Sequence, residues 1–188
     1  VTDLYAIIDL EAVSEPIALA ERALDAGCPW LQLRTKDVDD RRWLEMARAL
    51  QTRCANAGAR FVVNDRPDIA KLVGADGLHL GQDDLPIGEA RRIVGSLPIG
   101  CSTHNLAQAR AAEADGADLI AFGPVFETRS KANPDPTVGL DRLREVCSTV
   151  SRPVIAIGGI TPENAPEVRA AGADYLAVIS ALPKFVGR

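Results

Sequence analysis

Short apolar runs recur along this chain with room for one helix between each and the next, the alternation that a parallel sheet wrapped by helices requires. Eight such runs are legible, over residues 4 to 9, 30 to 36, 60 to 65, 77 to 81, 98 to 104, 119 to 125, 153 to 160 and 175 to 182. Each is short and mostly apolar, as buried parallel strands are. Candidate helices lie between them, among them Pro16 to Ala26, Arg41 to Ala57, Asn105 to Asp115, Leu140 to Val150 and Pro162 to Ala171. Pro16 and Pro162 sit near helix starts, where a missing N–H costs nothing, and the Asn105 side chain is suited to cap its helix.

A weak internal repeat points the same way. Gly74-Ala75-Asp76, Gly116-Ala117-Asp118 and Gly172-Ala173-Asp174 each close a helix and lead into a strand, and Gly27 does so without the Ala-Asp. Glycine adopts the positive φ that ends a helix and opens a tight turn. The recurrence favours a (β/α)8 TIM barrel over an open, doubly wound sheet. At 188 residues the chain is short for a barrel, since about 250 is typical. Only Pro183 to Arg188 follows the eighth run, so a short or missing eighth helix is expected.

With 47% hydrophobic and 25% charged residues, residues 1–188 read as a single domain with one substantial core. The net charge of -5 argues against a nucleic-acid surface, which needs a basic face; any anion site must be local. Cys28, Cys54, Cys101 and Cys147 form no CxxC pair and read as small buried thiols. The chain opens directly into the apolar run Leu4 to Asp9, and no later stretch is long enough to span a bilayer. The expectation is a cytoplasmic protein without membrane or nucleic-acid partners. Patches between helices would allow a homodimer, although nothing in the sequence locates one.

In a barrel the C-terminal strand ends carry the chemistry, and most of these runs finish in polar residues. The second ends Gln32-Leu33-Arg34-Thr35-Lys36. Period-two alternation puts Gln32, Arg34 and Lys36 on one side, and the alternative is that Leu31, Leu33 and Thr35 face the barrel interior. The third ends Asn64-Asp65, and the fourth runs through His79 and Gly81 into Gln82-Asp83-Asp84. Neighbouring strands lie about 4.8 Å apart, so Asp65 and a carboxylate just past Gly81 could share a Mg²⁺, a hard cation that favours oxygen ligands. The bland reading of Asp83 and Asp84 is turn chemistry before a helix.

The fifth run ends Ser102-Thr103-His104, of which one or two side chains point inward. Residues Thr128 to Pro136 read as a mobile flap or a solvated connection. Gly158-Gly159 and Ile179-Ser180 occupy the loops that often cradle a phosphate in barrels. Two carboxylates suited to Mg²⁺, cations from Arg34, Lys36 and Lys131, and a separate phosphate cradle suit two anionic substrates, one a diphosphate. No triad-like nucleophile stands out, which favours a dissociative transfer over covalent catalysis.

Taken in order, Gln32 to Lys36 (QLRTK), Asn64-Asp65, Asp76 to Asp84, Gly100 to His104 (GCSTH), Thr128 to Lys131, Ala156 to Ile160 (AIGGI) and Ala177 to Ser180 (AVIS) resemble the thiamine phosphate synthase family over nearly the whole chain. The resemblance implies a Mg²⁺-dependent transferase that joins hydroxymethylpyrimidine diphosphate to a thiazole phosphate or its carboxylated form. The diphosphate ionises to a pyrimidinylmethyl cation, the thiazole nitrogen captures it, and thiamine phosphate and pyrophosphate leave. It further implies that Gln32, Leu33, Arg34, Thr35, Lys36, Asn64, Ser102, Thr103 and Lys131 hold the pyrimidine diphosphate, with Arg34, Lys36, Ser102 and Lys131 acting in catalysis. Asp65 and Asp84 would bind Mg²⁺, and Thr128, Ser130, Gly159, Ile179 and Ser180 the thiazole phosphate.

Three features depart from the family's pattern: Ser130 stands where a second threonine is usual, the C-terminus is short, and Gly123 to Thr128 is also similar to the related thiazole tautomerases, in which His104 would be the working histidine. A tautomerase, or a catalytically silent phosphate-binding barrel, is therefore the alternative. The paired carboxylates Asp65 and Asp84 favour the synthase.

Overall fold

The computed structural model describes residues 3–36, 38–128 and 136–187. Strands and helices alternate throughout: Leu4–Asp9 (β1), Pro16–Asp25 (α1), Trp30–Arg34 (β2), Asp40–Ala57 (α2), Arg60–Asn64 (β3), Pro67–Val73 (α3), Gly77–Leu80 (β4) and Ile87–Val94 (α4) form the first half. Ile99–Thr103 (β5), Leu106–Ala114 (α5), Leu119–Phe122 (β6), Gly139–Thr149 (α6), Val154–Ile157 (β7), Ala165–Ala170 (α7), Tyr175–Val178 (β8) and Leu182–Val186 (α8) form the second. Every strand pairs in parallel with its sequence neighbour, and β8 returns to β1, so the sheet closes as the expected (β/α)8 barrel. The eighth helix is present but short, a single turn or so over five residues.

The strands stop sooner than the apolar runs do, and the reasons are local. The run from 153 to 160 is strand only over Val154–Ile157, because Gly158 and Gly159 turn the chain with φ of 101° and 65°. The run from 119 to 125 ends as strand at Phe122, just before Gly123 and Pro124; proline has no N–H to extend a ladder. Asn105 caps α5 as expected, its Oδ1 accepting from the Gln108 N–H at 2.9 Å. By contrast α7 starts at Ala165 rather than Pro162. Asn164 holds the preceding turn open, accepting from the Thr161 N–H and donating to the Gly159 carbonyl.

Alternation along each strand divides the core into two layers. Leu4, Ala6, Ile8, Leu31, Leu33, Phe61, Val63, Leu78, Leu80, Ile120, Phe122 and Leu176 point outward and pack under the helices. The opposite set, including Tyr5, Ile7, Trp30, Val62, Leu119, Ala121, Ile155 and Ala177, fills the barrel lumen. Gln32 and Arg34 share the lumen side with Trp30, since Leu31 and Leu33 are fully buried outside it. The N-terminal end of the lumen is closed by aromatic rings, with Tyr5 stacked on Trp30 at 5.9 Å, Tyr175 edge-on to Trp30 and the Arg60 guanidinium over the Trp30 ring at 4.8 Å. The open end is therefore the C-terminal one.

All four cysteines are free, and three of them are buried. Burial pushes the Cys54 thiol up to about 12 and the Cys147 thiol up to about 11, which keeps both inert. Among the described residues no helix is long and apolar enough to cross a membrane.

Candidate active site

At the C-terminal mouth of the barrel lies a cavity of about 730 Å³. Its two halves differ in chemistry. The half built by β1 to β5 is polar, with Tyr5, Glu11, Gln32, Arg34, Lys36, Asn64, Asp65, His79, Asp84 and Ser102 on its wall. The half built by β6 to β8 is largely apolar and backbone-lined, with Ala121, Gly123, Ile155, Ile157, Gly158, Gly159, Ala177, Ile179 and Ser180.

Depth orders the polar half. At the bottom, the Tyr5 hydroxyl donates to Gln32 Oε1 at 3.0 Å, and Gln32 Nε2 donates to Asn64 Oδ1 at 3.0 Å. At the C-terminal ends of β1 and β2, Arg34 pairs with the buried carboxylate of Asp9. Opposite them, His79 Nε2 and Ser102 Oγ lie 2.8 Å apart. The ring can occupy that place because β5 carries glycine beside it: a Cβ on Gly100 would stand 2.7 Å from His79 Nδ1. Gln82 Nε2 donates to the Ser102 carbonyl at 2.6 Å and so ties the loop after β4 to the end of β5.

At the rim stand the two carboxylates. Asp65 follows β3 with a left-handed φ of 61°, an uncommon conformation for a residue other than glycine, which turns its side chain away from the strand direction. Lys36 Nζ lies 3.2 Å from Asp65 Oδ2. Asp84 reaches back to its own turn, where Oδ2 accepts the Gly81 N–H at 2.6 Å. Burial and a hydrogen bond shared with Asp84 push the Asp65 carboxyl up to about 6. Burial acts to raise Asp84 as well, but the Asp65 hydrogen bond, the Gly81 N–H and the charges of Lys36 and His79 hold it lowered. The two carboxyls are thus pushed apart, as two negative groups held close together are, and Asp65 is the one that takes up a proton first as the pH falls. Among the described residues no group of three or more His, Cys, Asp and Glu surrounds a common point.

The apolar half owes its shape to glycine. A Cβ on Gly159 would lie 2.5 Å from the Glu127 carbonyl oxygen, and one on Gly158 would lie 2.4 Å from Pro124 Cβ. These backbones pack directly, and the Val125 and Phe126 N–H groups bond the Ile157 and Gly158 carbonyls. The loop after β6 is thereby fastened to the end of β7 and carries Thr128 onto the cavity wall.

Most residues expected at the site come together here: Gln32, Arg34, Lys36, Asn64, Asp65, Asp84, Ser102, Thr103, Thr128, Gly159, Ile179 and Ser180 all line the cavity. Two do not. Leu33 is fully buried under the helices, and Thr35 is 6% exposed with an Oγ1 that has no hydrogen-bond partner among the described residues. Both belong to the outward-facing register of β2. Of Ser102 and Thr103, it is Ser102 that reaches into the lumen; the Thr103 hydroxyl is spent on the Ala121 carbonyl at 2.9 Å. Ser130 and Lys131 lie outside the described residues, as does most of the stretch expected to form a flap. The sequence reading missed Tyr5, Asp9, Glu11 and the role of His79. Asp9 ends β1 just as Arg34 ends β2, so the same rule of polar strand ends would have found it.

The sequence profile of a family described as thiamine monophosphate synthase matches residues 4–182. The chain belongs to that family. A thiamine-phosphate synthase from Methanocella arvoryzae is 50% identical over 184 residues, covering 96% of this chain and 86% of that protein. Another from Methanoculleus marisnigri is 48% identical over 185 residues, covering 96% and 87%. Among solved structures, thiamine phosphate pyrophosphorylase from Pyrococcus furiosus superposes with a TM-score of 0.87 at 36% identity, covering 98% of this chain and 95% of that one. The family match spans all eight strands of the barrel.

Proposed function

We propose that this chain is a thiamine-phosphate synthase that transfers a pyrimidinylmethyl group from its diphosphate to the nitrogen of a thiazole phosphate. The observation that carries this reading is the division of one mouth into two unlike halves. The polar half offers Arg34, Lys36 and a pair of under-neutralised carboxylates. The other offers small and aliphatic side chains with exposed backbone, suited to a thiazole ring and its phosphate. The relatives named thiamine-phosphate synthase support it throughout, and none of the comparisons favours a tautomerase or a silent binding barrel.

The Asp65–Asp84 pair fits Mg²⁺, because that ion takes one or two carboxylates and completes its shell with waters and substrate phosphate oxygens. When bound, it would neutralise the diphosphate and the charge that develops as the diphosphate departs. The protein's own residues do the rest. Gln32 and Asn64 orient the pyrimidine at the bottom of the polar half, and Ser102, backed by His79, donates to the diphosphate. The carbon–oxygen bond breaks with its electron pair leaving on pyrophosphate, which Arg34 and Lys36 stabilise more strongly than the bound ester. The thiazole, held by Thr128 and the backbone of Gly159 and Ser180, then gives its nitrogen lone pair to the carbocation. This forms the carbon–nitrogen bond of thiamine phosphate, and no residue is required as a covalent nucleophile. Ser130 and Lys131 join the diphosphate and phosphate contacts in this proposal on the strength of the family resemblance.

The test is product formation from hydroxymethylpyrimidine diphosphate and thiazole phosphate, with Mg²⁺ and then with a chelator, following pyrophosphate in parallel. Equal amounts of thiamine phosphate and pyrophosphate, lost on chelation, are expected. Absence of both products with Mg²⁺ present would overturn the reading. Isomerisation of a thiazole carboxylate phosphate that disappears in His104→Ala would replace it.

A further inference from the structure

We propose that Tyr5, at the bottom of the lumen, sets the direction of the Gln32–Asn64 amide chain and thereby makes the pocket floor a hydrogen-bond donor that selects an amino-pyrimidine over its oxo analogue. Tyr5 is 3% exposed and stacked flat on Trp30. Its hydroxyl finds a single acceptor among the described residues, Gln32 Oε1 at 3.0 Å. Desolvation raises the phenol well above its ordinary range, so it remains a donor at every working pH.

The consequences run along the chain one bond at a time. An amide has one acceptor end and one donor end. With Gln32 Oε1 occupied by Tyr5, the Gln32 nitrogen must face the other way, and it donates to Asn64 Oδ1 at 3.0 Å. With Asn64 Oδ1 occupied in turn, Asn64 Nδ2 is the end left for the cavity, which Asn64 lines. Reversing the chain would leave the Tyr5 O–H buried with no acceptor, a state that folded proteins avoid. A hydroxyl at the bottom of the barrel thus fixes the polarity of an atom two residues away in the relay.

A donor at that place matches a ring nitrogen bearing a lone pair, as in an amino-pyrimidine. It opposes the oxo analogue, whose ring nitrogen carries a hydrogen. This rests on the proposed placement of the pyrimidine in the polar half. Tyr5 touches no reacting atom in this scheme and acts as a positioning residue.

The test is calorimetric titration of the amino-pyrimidine diphosphate and of its oxo analogue, with Mg²⁺ and without thiazole phosphate. The wild-type chain is expected to bind the amino compound more tightly. In Tyr5→Phe neither orientation of Gln32 is satisfied, and the amino-to-oxo ratio should fall roughly tenfold, the worth of about one hydrogen bond. In Asn64→Asp the cavity-facing atom becomes an acceptor, and preference should shift to the oxo compound. A mere packing role for Tyr5 would lower the melting temperature without moving the ratio. A Tyr5→Phe protein that melts cooperatively and keeps the wild-type ratio overturns the proposal. If that variant does not fold, an unchanged ratio in Asn64→Asp does so instead. A wild type without preference overturns it even where turnover is normal, whereas preference without turnover leaves it standing and removes only the synthase reading.

Discussion

Asp65 carries the most information of any single residue in the mouth. Its carboxyl is pushed up to about 6 by burial and by Asp84, and a divalent cation requires it ionised. Ion binding therefore expels a proton whenever the pH lies below that value. The affinity for Mg²⁺ should be flat above about pH 6 and weaken roughly tenfold per unit below it. Titration calorimetry across pH, in two buffers of different ionisation enthalpy, would read both the weakening and the proton released. Affinity independent of pH between 5 and 8 would separate Asp65 from the metal. The sign for folding follows from the same shift. Because the folded-state value lies above the ordinary 3.8, the metal-free protein holds this group's stabilisation at low pH and loses it as pH rises towards 6. Lys36 moderates the effect from 3.2 Å, but at about half exposure its charge is partly screened.

At the scale of elements, the glycine-alanine-aspartate repeat was legible in the sequence, but only its glycine was understood there. The structure gives the aspartates their part. Asp76 Oδ2 accepts the Phe61 N–H, Asp118 Oδ2 the Ile99 N–H, and Asp174 Oδ2 the Val154 N–H, all at 2.8 to 2.9 Å. Each backbone N–H of the same aspartates donates to the carbonyl of the same partner. The turn before β4, β6 and β8 is thus clasped to the start of β3, β5 and β7, which pairs the barrel's strands in twos. The first pair lacks the aspartate, and there Cys28 Sγ donates to the Leu4 carbonyl at 3.0 Å. Sequence pattern shows that residues recur, but a hydrogen bond to a strand some 15 or 20 positions away has no local signal. Asp174 makes the cleanest probe, because Asp118 also pairs with Arg91. Asp174→Ala should cost about 1 kcal/mol and lower the melting temperature by roughly 2–4 °C, with kcat and KM unchanged because the clasp sits at the end opposite the mouth. A loss of activity at full stability would mean that the two barrel ends communicate.

For the whole molecule, closure of the barrel was readable from eight runs and their spacing, and so was the inward face of β2, whereas the choice between Ser102 and Thr103 on β5 was not. Alternation along Gln32-Leu33-Arg34-Thr35 favours the register with Gln32 and Arg34 inward, and Leu31 and Leu33 packed under the helices bear it out. Closure also makes the mouth a single mechanical object: the polar half draws one rim residue or more from each of β1 to β5, so a ligand there cross-links five strands and the loops that follow them. A ligand that binds only the folded state stabilises it by about 2.7 kcal/mol at a hundred times its dissociation constant, which for a chain of this size is a rise of roughly 5–11 °C. Mg²⁺ with pyrophosphate should produce that shift without any thiazole compound, since the polar half alone supplies the contacts. The shift should vanish with chelator and in Asp65→Asn, and should survive in Ile157→Val, which alters only the opposite wall. Melting curves under these four conditions separate the halves of the mouth. A shift that persists in chelator would place the diphosphate on side chains such as Arg34 and Lys36 without a metal, and leave Asp65 paired with Lys36 and Asp84 with the Gly81 N–H.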